Sequence, residues 1–159
     1  MLAREVMTRE VLTLSPSETL REAALRLQVR GVSGAPVVDA EGRLVGILSE
    51  TDFLRYLKRL TDADLAGHYL SSPVHSLTLL AMLAESGHPA VRRVMEHLRT
   101  SRVSDAMTVK VLTAVPEDPI EKVVALMIRG NVNRIPILEG ARIVGILTRG
   151  DILRIVSRR

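Results

Sequence analysis

The chain has 159 residues, of which 47% are apolar and 25% are charged, and this length allows one ordinary domain or two small ones that share a core. A large multidomain enzyme is therefore excluded. Because the sequence contains no cysteine, disulfide bonds, thiolate metal sites and cysteine catalysis are excluded as well.

Arginine dominates the basic residues. Lysine and arginine total 22 against 18 acidic residues, the formal charge is +4, and lysine stands only at positions 58, 110 and 122. Guanidinium groups favour planar, bidentate recognition of phosphate, so the composition favours an anionic ligand. The few aromatic residues offer little surface on which bases could stack, which argues against single-stranded DNA or RNA.

The sequence contains no segment that is typical of a membrane span or a signal peptide. Its longest apolar stretch, residues 77–84, is far shorter than the roughly 20 residues that cross a bilayer. The first ten positions carry charges where a signal peptide has an apolar run. We expect a soluble, cytoplasmic protein without a membrane partner.

Residues 1–59 alternate short apolar runs with helical patterns. A strand is predicted over 11–14, followed by a helix, a strand opened by Pro36, a strand over 44–49 and a second helix. The first helix has one apolar face, formed by Leu20, Ala23, Ala24 and Leu27.

Residues 60–102 form an insert in which two helices are predicted. Their apolar positions recur at helical spacing: Leu77, Leu80, Ala81 and Ala84, then Val91, Val94, Met95 and Leu98. All four histidines fall here, at 68, 75, 88 and 97, but their intervals do not suit a metal site, so no metal is predicted. A basic patch is formed by Arg92, Arg93, Arg99 and Arg102. A solvated helix face is the favoured interpretation of this patch, and nucleic-acid binding the less favoured one.

Residues 103–159 repeat the pattern of 1–59. Met107 and Thr108 stand 100 positions after an identical pair, and a strand is predicted over 111–115. Asp118 is the predicted N-cap of the following helix, with proline in its first turn. Neither copy, at about 50 residues, has much core of its own, so the two should pack face to face.

A hydroxyl and a carboxylate stand three positions apart at each strand-to-helix junction, as Ser49 with Asp52 and Thr148 with Asp151. This spacing is typical of a capping box, yet the N-terminus of a helix also accepts an anion or a polar ligand. Both interpretations stay open. A glycine in the middle of each preceding strand would let a ring or backbone approach closely: Gly46 and Gly145.

The two copies resemble the CBS domain, a module first named for cystathionine β-synthase. The resemblance is carried by Met7-Thr8, Val11-Leu12-Thr13, Gly34-Ala35-Pro36-Val37-Val38-Asp39 and Gly46-Ile47-Leu48-Ser49 in copy one, and by Asn133-Arg134-Ile135-Pro136-Ile137 and Gly145-Ile146-Leu147-Thr148-Arg149-Gly150-Asp151 in copy two. It implies an α+β fold of tandem CBS domains, each a short sheet with two helices in the order β-α-β-β-α, packed pseudo-symmetrically. Such pairs usually form a Bateman module that binds AMP, ADP, ATP or S-adenosylmethionine.

If a nucleotide binds between the copies, charge assigns the roles. Asp52 and Asp151 suit the hydroxyls of a ribose, and Ser49 and Thr148 reach the ribose or the first phosphate. In family members, the position of Arg134 often carries a basic phosphate contact, and the fork of its guanidinium fits that role.

The remaining expected contacts are apolar or close the cleft. Asn133 lies beside Arg134 in the expected site of copy two. Adenine would lie between apolar segments: Ile135 and Ile146 in copy two, Ala35 and Ile47 in copy one. The opening strand of the partner copy, around Thr13 or Thr113, would close each cleft.

The two copies differ in charge. Copy one has Gly34 in place of Arg134 and Glu50 in place of Arg149, which predicts a less positive cleft. We therefore expect tighter nucleotide binding in copy two.

Three functions compete. The favoured one is a stand-alone regulatory module that binds an adenine nucleotide, forms a homodimer and signals to a separate effector protein. The first alternative is a ligand-free module for protein interaction or dimerisation, and the second is nucleic-acid binding through the basic surface. Catalysis is not expected, because the repeats contain no histidine and no nucleophile with a base at motif spacing, and no cofactor is required beyond the regulatory nucleotide.

Overall fold

The computed structural model describes residues 1–60, 87 and 89–157. In chain order the elements are α1 (Ala3–Val6), α2 (Leu20–Val29), β1 (Gly34–Val38), β2 (Leu44–Ser49), α3 (Glu50–Leu60), α4 (Pro89–Thr100), α5 (Val103–Ala106), α6 (Ile120–Gly130), β3 (Arg134–Glu139), β4 (Arg142–Thr148) and α7 (Arg149–Ser157). Two repeats of helix, hairpin and helix follow each other, as the sequence pattern predicts.

Each repeat contains one antiparallel hairpin, β1 with β2 and β3 with β4. The strands predicted over 11–14 and 111–115 do not form as strands. Each is reduced to a single parallel bridge, Leu14 with Val37 and Ala114 with Ile137. A proline follows two residues after each bridge and has no N–H to donate, so the ladder cannot extend in that direction.

Two hydrophobic cores form, and each combines residues of both repeats. The first contains Leu20 and Leu48 of repeat one together with Val103 from α5. The second contains Ile137 of repeat two together with Met7, which follows α1. The short opening segment of each repeat therefore packs into the core of the other, which joins the repeats into one pseudo-symmetric unit.

The two long helices that follow the opening segments begin differently. Thr19 caps α2 in a capping box with Glu22. The N-cap of α6 is Pro119, one residue later than the predicted Asp118. The Asp118 carboxylate instead accepts hydrogen bonds from the Val115 N–H at 3.0 Å and from Lys122 Nζ at 2.6 Å, because it closes the turn that precedes the helix.

Of the two helices predicted in the insert, the second corresponds to α4. Val94 on this helix is buried, and Leu98 packs against the first core. The helix predicted around residues 77–84 lies outside the described residues. Among the described residues, no helix has the length and apolar character needed to cross a membrane.

Candidate functional site

Two buried carboxylates cap the helices that follow β2 and β4. Asp52 Oδ2 accepts hydrogen bonds from the Ser49 backbone N–H at 2.8 Å and from its hydroxyl at 2.7 Å. Asp151 Oδ2 accepts the same pair from Thr148, both at 2.7 Å. The carboxylates are only 3% and 2% exposed. The carboxylate half of a capping box is therefore present at both junctions, and the reciprocal bond, from the Asp151 N–H to Thr148 Oγ1 at 3.4 Å, completes it in repeat two. One oxygen of each carboxylate is thus committed to the end of its own strand.

The second oxygen of each carboxylate reaches the other repeat. Asp52 Oδ1 accepts a hydrogen bond from the Thr108 hydroxyl at 2.7 Å and another from Arg55 Nη1 at 3.0 Å. The corresponding acceptor in repeat two is Asp151 Oδ1, with Thr8 at 3.2 Å and Arg154 as its donors. Both arginine side chains are largely exposed, at 59% and 60%.

Backbone pairing fixes these two threonines in place. Thr8 and Ile146 exchange two N–H to C=O hydrogen bonds of 2.9 Å, and Thr108 and Ile47 exchange the same pair. Sequence reasoning missed both threonines as site residues. The signal that could have found them is their repetition, since each follows a methionine at the same position of its repeat.

The mid-strand glycines accommodate the other repeat. A Cβ at Gly46 would lie 2.6 Å from Met107 Sδ and 3.1 Å from the Thr108 carbonyl oxygen. A Cβ at Gly145 would lie 2.4 Å from Met7 Sδ. The close approach expected from the sequence is thus made by protein atoms of the opening segments.

Two clefts lie between the repeats, and each is named here after its carboxylate. The Asp151 cleft has a volume of about 510 Å³, and the Asp52 cleft about 650 Å³. Each cleft takes its carboxylate and hydroxyl from one repeat and an apolar wall from the other. The apolar walls are formed by Val11, Leu12 and Val32 in the Asp151 cleft and by Val111, Leu112 and Val132 in the Asp52 cleft.

The expected residues divide between the clefts and the cores. Thr148, Asp151 and Ile146 line the Asp151 cleft, and Ser49, Asp52 and Ile47 line the Asp52 cleft. Asn133 and Arg134 line both.

Four expected contact residues lie elsewhere. Ile135 and Ala35 are almost fully buried in the two cores, because they occupy the inward face of their strands. Thr13 and Thr113 precede the bridge residues, and neither lines either cleft. The opening segments themselves do line the cleft of the other repeat, through Val11 and Leu12 in one and Val111 and Leu112 in the other.

The expected charge difference between the clefts is absent from their lining residues. The Asp151 cleft carries Arg134, Arg149 and Arg154 against Glu10 and Asp151. The Asp52 cleft carries Arg55, Lys110 and Arg134 against Glu50 and Asp52. Three cations and two carboxylates therefore face each cleft, because the change from Arg149 to Glu50 is offset by the change from Glu10 to Lys110.

Arg134 is buried between the two clefts, with 8% of its surface exposed. Its Nη2 donates a 2.5 Å hydrogen bond to the Ser33 hydroxyl, and its buried Nη1 has no hydrogen-bond partner among the described residues. Burial lowers the pKa of the guanidinium below its ordinary value, while the negative charges of Glu50 and Asp52 oppose that shift.

The part of the insert that the structure describes adds no metal ligands to the clefts. His97 on α4 is exposed, and the other three histidines lie outside the described residues. Within the described ranges, no group of three or more histidine, aspartate or glutamate residues could hold a metal ion. The basic patch of Arg92, Arg93, Arg99 and Arg102 is exposed to solvent.

Comparison with known proteins gives matches to both repeats. A family model described as CBS domain matches residues 3–59 and 103–158. The chain is 29% identical over 154 residues to the uncharacterized protein MJ1426 of Methanocaldococcus jannaschii, covering 96% of this chain and 89% of the relative.

Two solved structures share the fold. The CBS domain of a CBS domain containing membrane protein from Sphaerobacter thermophilus is 32% identical, with a TM-score of 0.74 over 97% of this chain and 86% of that chain. The structure of CBSX2 in complex with AMP is 22% identical, with a TM-score of 0.68 over 99% of this chain and 96% of that chain.

Proposed function

Because the chain belongs to the CBS domain family and carries two copies of the domain, we propose that it is a regulatory module. In this proposal an adenine nucleotide binds in the Asp52 and Asp151 clefts, and the occupied module signals to a separate partner protein. The similarity to CBSX2, which was solved in complex with AMP, supports this class of ligand.

The observation that carries the proposal is that only one oxygen of each buried carboxylate is used in the helix cap. The Oδ2 atom of Asp52 caps α3. The Oδ1 atom accepts its second hydrogen bond from an exposed arginine, Arg55. The arginine side chain is itself 59% exposed, so it can return to solvent while a ribose hydroxyl replaces it as the donor to the buried oxygen. Each cleft volume also falls within the range of roughly 300 to 1,000 Å³ that is typical of small-molecule sites.

The apolar walls suit the base. In the Asp52 cleft, Leu112 is 38% exposed, and Val111 and Val132 lie beside it. Covering such side chains with an adenine ring removes apolar surface from water at both partners. The ribose and base would thus be held by different repeats, and the ligand would bridge them.

Such bridging provides a route for signalling. The hydrogen bond from Thr108 to Asp52 joins the repeats at the atom that the ribose would use. A ligand that competes for that oxygen changes a contact between repeats directly. Any switch is limited by the difference in the affinity of the ligand for the two arrangements.

Isothermal titration calorimetry tests the nucleotide proposal. We expect two AMP molecules per chain, and one fewer in Asp52→Ala and in Asp151→Ala. Removal of the ribose 2′-hydroxyl, as in 2′-deoxy-AMP, should weaken binding by about tenfold, since the ligand loses a hydrogen bond to a charged group. Asp39→Ala is the control, because Asp39 closes the β1–β2 turn outside the clefts. Retention of both AMP molecules in both cleft variants would contradict the proposal.

The ligand-free interaction module is the second candidate. It is favoured by the hydrogen bonds that both carboxylates already accept from protein groups at each oxygen. A thermal-shift panel with AMP, ADP, ATP and S-adenosylmethionine separates the two functions. A ligand at 100 times its dissociation constant stabilises the folded state by about 2.7 kcal/mol, which is easily seen. Absence of any shift across the panel would favour the second candidate.

A homodimer is part of the proposal. The outer faces of α2 and α6 leave apolar side chains in solvent, with Val29 at 74% and Ile128 at 75% exposure. Covering these faces in a second copy would remove them from water. Light scattering after size-exclusion chromatography measures the mass directly, and a mass of 17.5 kDa would contradict this part of the proposal.

A further inference from the structure

Arg134 occupies a unique position among the charged side chains that the structure describes. It lines both the Asp52 cleft and the Asp151 cleft, whereas every other charged lining residue faces one cleft. Its backbone begins β3 in repeat two, and its guanidinium reaches Ser33 of repeat one. The side chain therefore crosses from one repeat to the other between the clefts.

The absence of a side chain at Gly34 leaves room for the Arg134 side chain to cross. Gly34 begins β1 as Arg134 begins β3. A Cβ at Gly34 would lie 1.5 Å from Arg134 Nη1 and 2.6 Å from the Leu48 carbonyl oxygen. An arginine at both positions would clash, so the pseudo-symmetric pair of clefts has space for a single guanidinium.

This guanidinium has donor capacity to spare. Nη1 is buried and has no acceptor among the described residues, although a buried N–H of a charged group without a partner is costly. Glu50 and Asp52, whose negative charges act on this guanidinium, are not its hydrogen-bond partners in the described contacts. A phosphate oxygen that enters from either cleft would supply the missing acceptor.

We infer that Arg134 is a phosphate-binding group shared by the two clefts, so that an anionic nucleotide in one cleft weakens the binding of a second one in the other. The inference rests on the proposed nucleotide-binding function. One guanidinium cannot give the same donors to two phosphates, and the coupling acts equally in both directions because binding free energies are linked. A nucleoside has no phosphate to contact Arg134, so its binding to one cleft is independent of its binding to the other.

Single-cleft proteins, in which only one cleft can bind a nucleotide, test whether Arg134 serves both clefts or only one. Asp52→Ala leaves the Asp151 cleft, and Asp151→Ala leaves the Asp52 cleft. Should either variant fail to fold, a cleft is filled instead by Leu112→Trp or Leu12→Trp, whose positions lie on the apolar walls. Arg134→Met, which keeps the length of the buried stem without its charge, is then added to each, and AMP and adenosine are titrated by calorimetry.

We expect Arg134→Met to weaken AMP binding by about ten- to hundredfold in both single-cleft proteins, the range for a lost charge-assisted hydrogen bond. Adenosine affinity should change by less than about threefold, because the base and ribose sites are intact. Loss of AMP affinity in only one of the two proteins would overturn the shared role, as would an equal loss for adenosine. If the unmodified chain binds neither AMP nor adenosine, the proposed function itself fails, and the shared role fails with it.

Discussion

The Thr108 hydroxyl donates a 2.7 Å hydrogen bond to Oδ1 of Asp52, which lies 56 positions earlier in the chain. This bond ties the opening segment of repeat two to the helix cap of repeat one. Its counterpart, from Thr8 to Asp151, is longer, at 3.2 Å. The strength of the contact between repeats therefore depends on the same carboxylates that line the clefts.

Removal of either hydroxyl should weaken the folded unit. Thr108→Val deletes a donor to a buried carboxylate, and we expect a loss of about 1.5 to 3 kcal/mol in the free energy of unfolding. Thr8→Val should cost less, because its bond is longer. Urea denaturation at pH 7 measures both. Thr113→Val, which lies outside the clefts, is the control, and a cost as large as that of Thr108→Val would show that the carboxylate contact is not the cause.

Alanine at the mid-strand glycines should weaken the packing between the repeats. At Gly46 a methyl group would meet both Met107 Sδ and the Thr108 carbonyl oxygen, and the backbone oxygen cannot turn aside. We expect Gly46→Ala to destabilise the chain by about 1 to 3 kcal/mol in thermal denaturation. Gly150→Ala is the matched control, since its methyl group would meet only Thr148 Oγ1 at 3.5 Å. The control should be neutral or slightly stabilising, as alanine favours a helix over glycine, and equal losses in the two variants would refute the packing argument.

Deletion of an exposed arginine should improve nucleoside binding. Arg55 occupies Asp52 Oδ1, the oxygen that the ribose would use. In Arg55→Ala this oxygen keeps only the Thr108 hydroxyl as a donor, so adenosine affinity should rise by up to about fivefold, the equivalent of about 1 kcal/mol. Calorimetric titration with adenosine isolates this effect from any contact with phosphate. Arg43→Ala, at an exposed ion pair with Asp39 in a turn, should leave the affinity unchanged. A weaker affinity in Arg55→Ala would argue that the arginine itself contacts the nucleoside.

Acid should weaken the turn before α6. The Lys122 ammonium and the Val115 N–H lower the pKa of Asp118 below its ordinary value. Because the folded-state pKa is the lower one, the stabilisation is fully present above the unfolded-state pKa of about 3.9 and is lost as the pH falls through the folded-state value. Asp118→Asn should therefore reduce stability at pH 7 and flatten the decline of thermal stability between pH 5 and pH 2.

The control for this acid effect is the neighbouring Glu117, whose side chain is 64% exposed in a 3.4 Å pair with Arg4. Glu117→Gln should change neither the stability at pH 7 nor its decline in acid, because exposed pairs contribute little. A decline in Asp118→Asn that matches the unmodified chain would assign the acid sensitivity to other carboxylates.

The sequence alone determined the features that depend on residues close together in the chain, such as the buried face of a helix or a helix cap. The helical spacing of Leu20, Ala23 and Leu27 reflects one buried face, and these three side chains are buried on α2. The hydroxyl and carboxylate at each junction were found because a capping box is complete within four residues. The repeat itself revealed that two copies of one fold are present.

Only the tertiary structure decided which residues of the other repeat complete each cleft. The pairing of Thr8 with Ile146, the packing of Met107 over Gly46 and the crossing of Arg134 into the space at Gly34 join positions roughly 60 to 140 residues apart, which no local periodicity encodes. Nor does strand alternation indicate whether an apolar side chain faces a core or a cleft when both faces of the strand are covered, which is why Ile135 and Ala35 were assigned to the clefts. Exchange of the opening segments sets these contacts, because each small repeat completes its core with residues of the other.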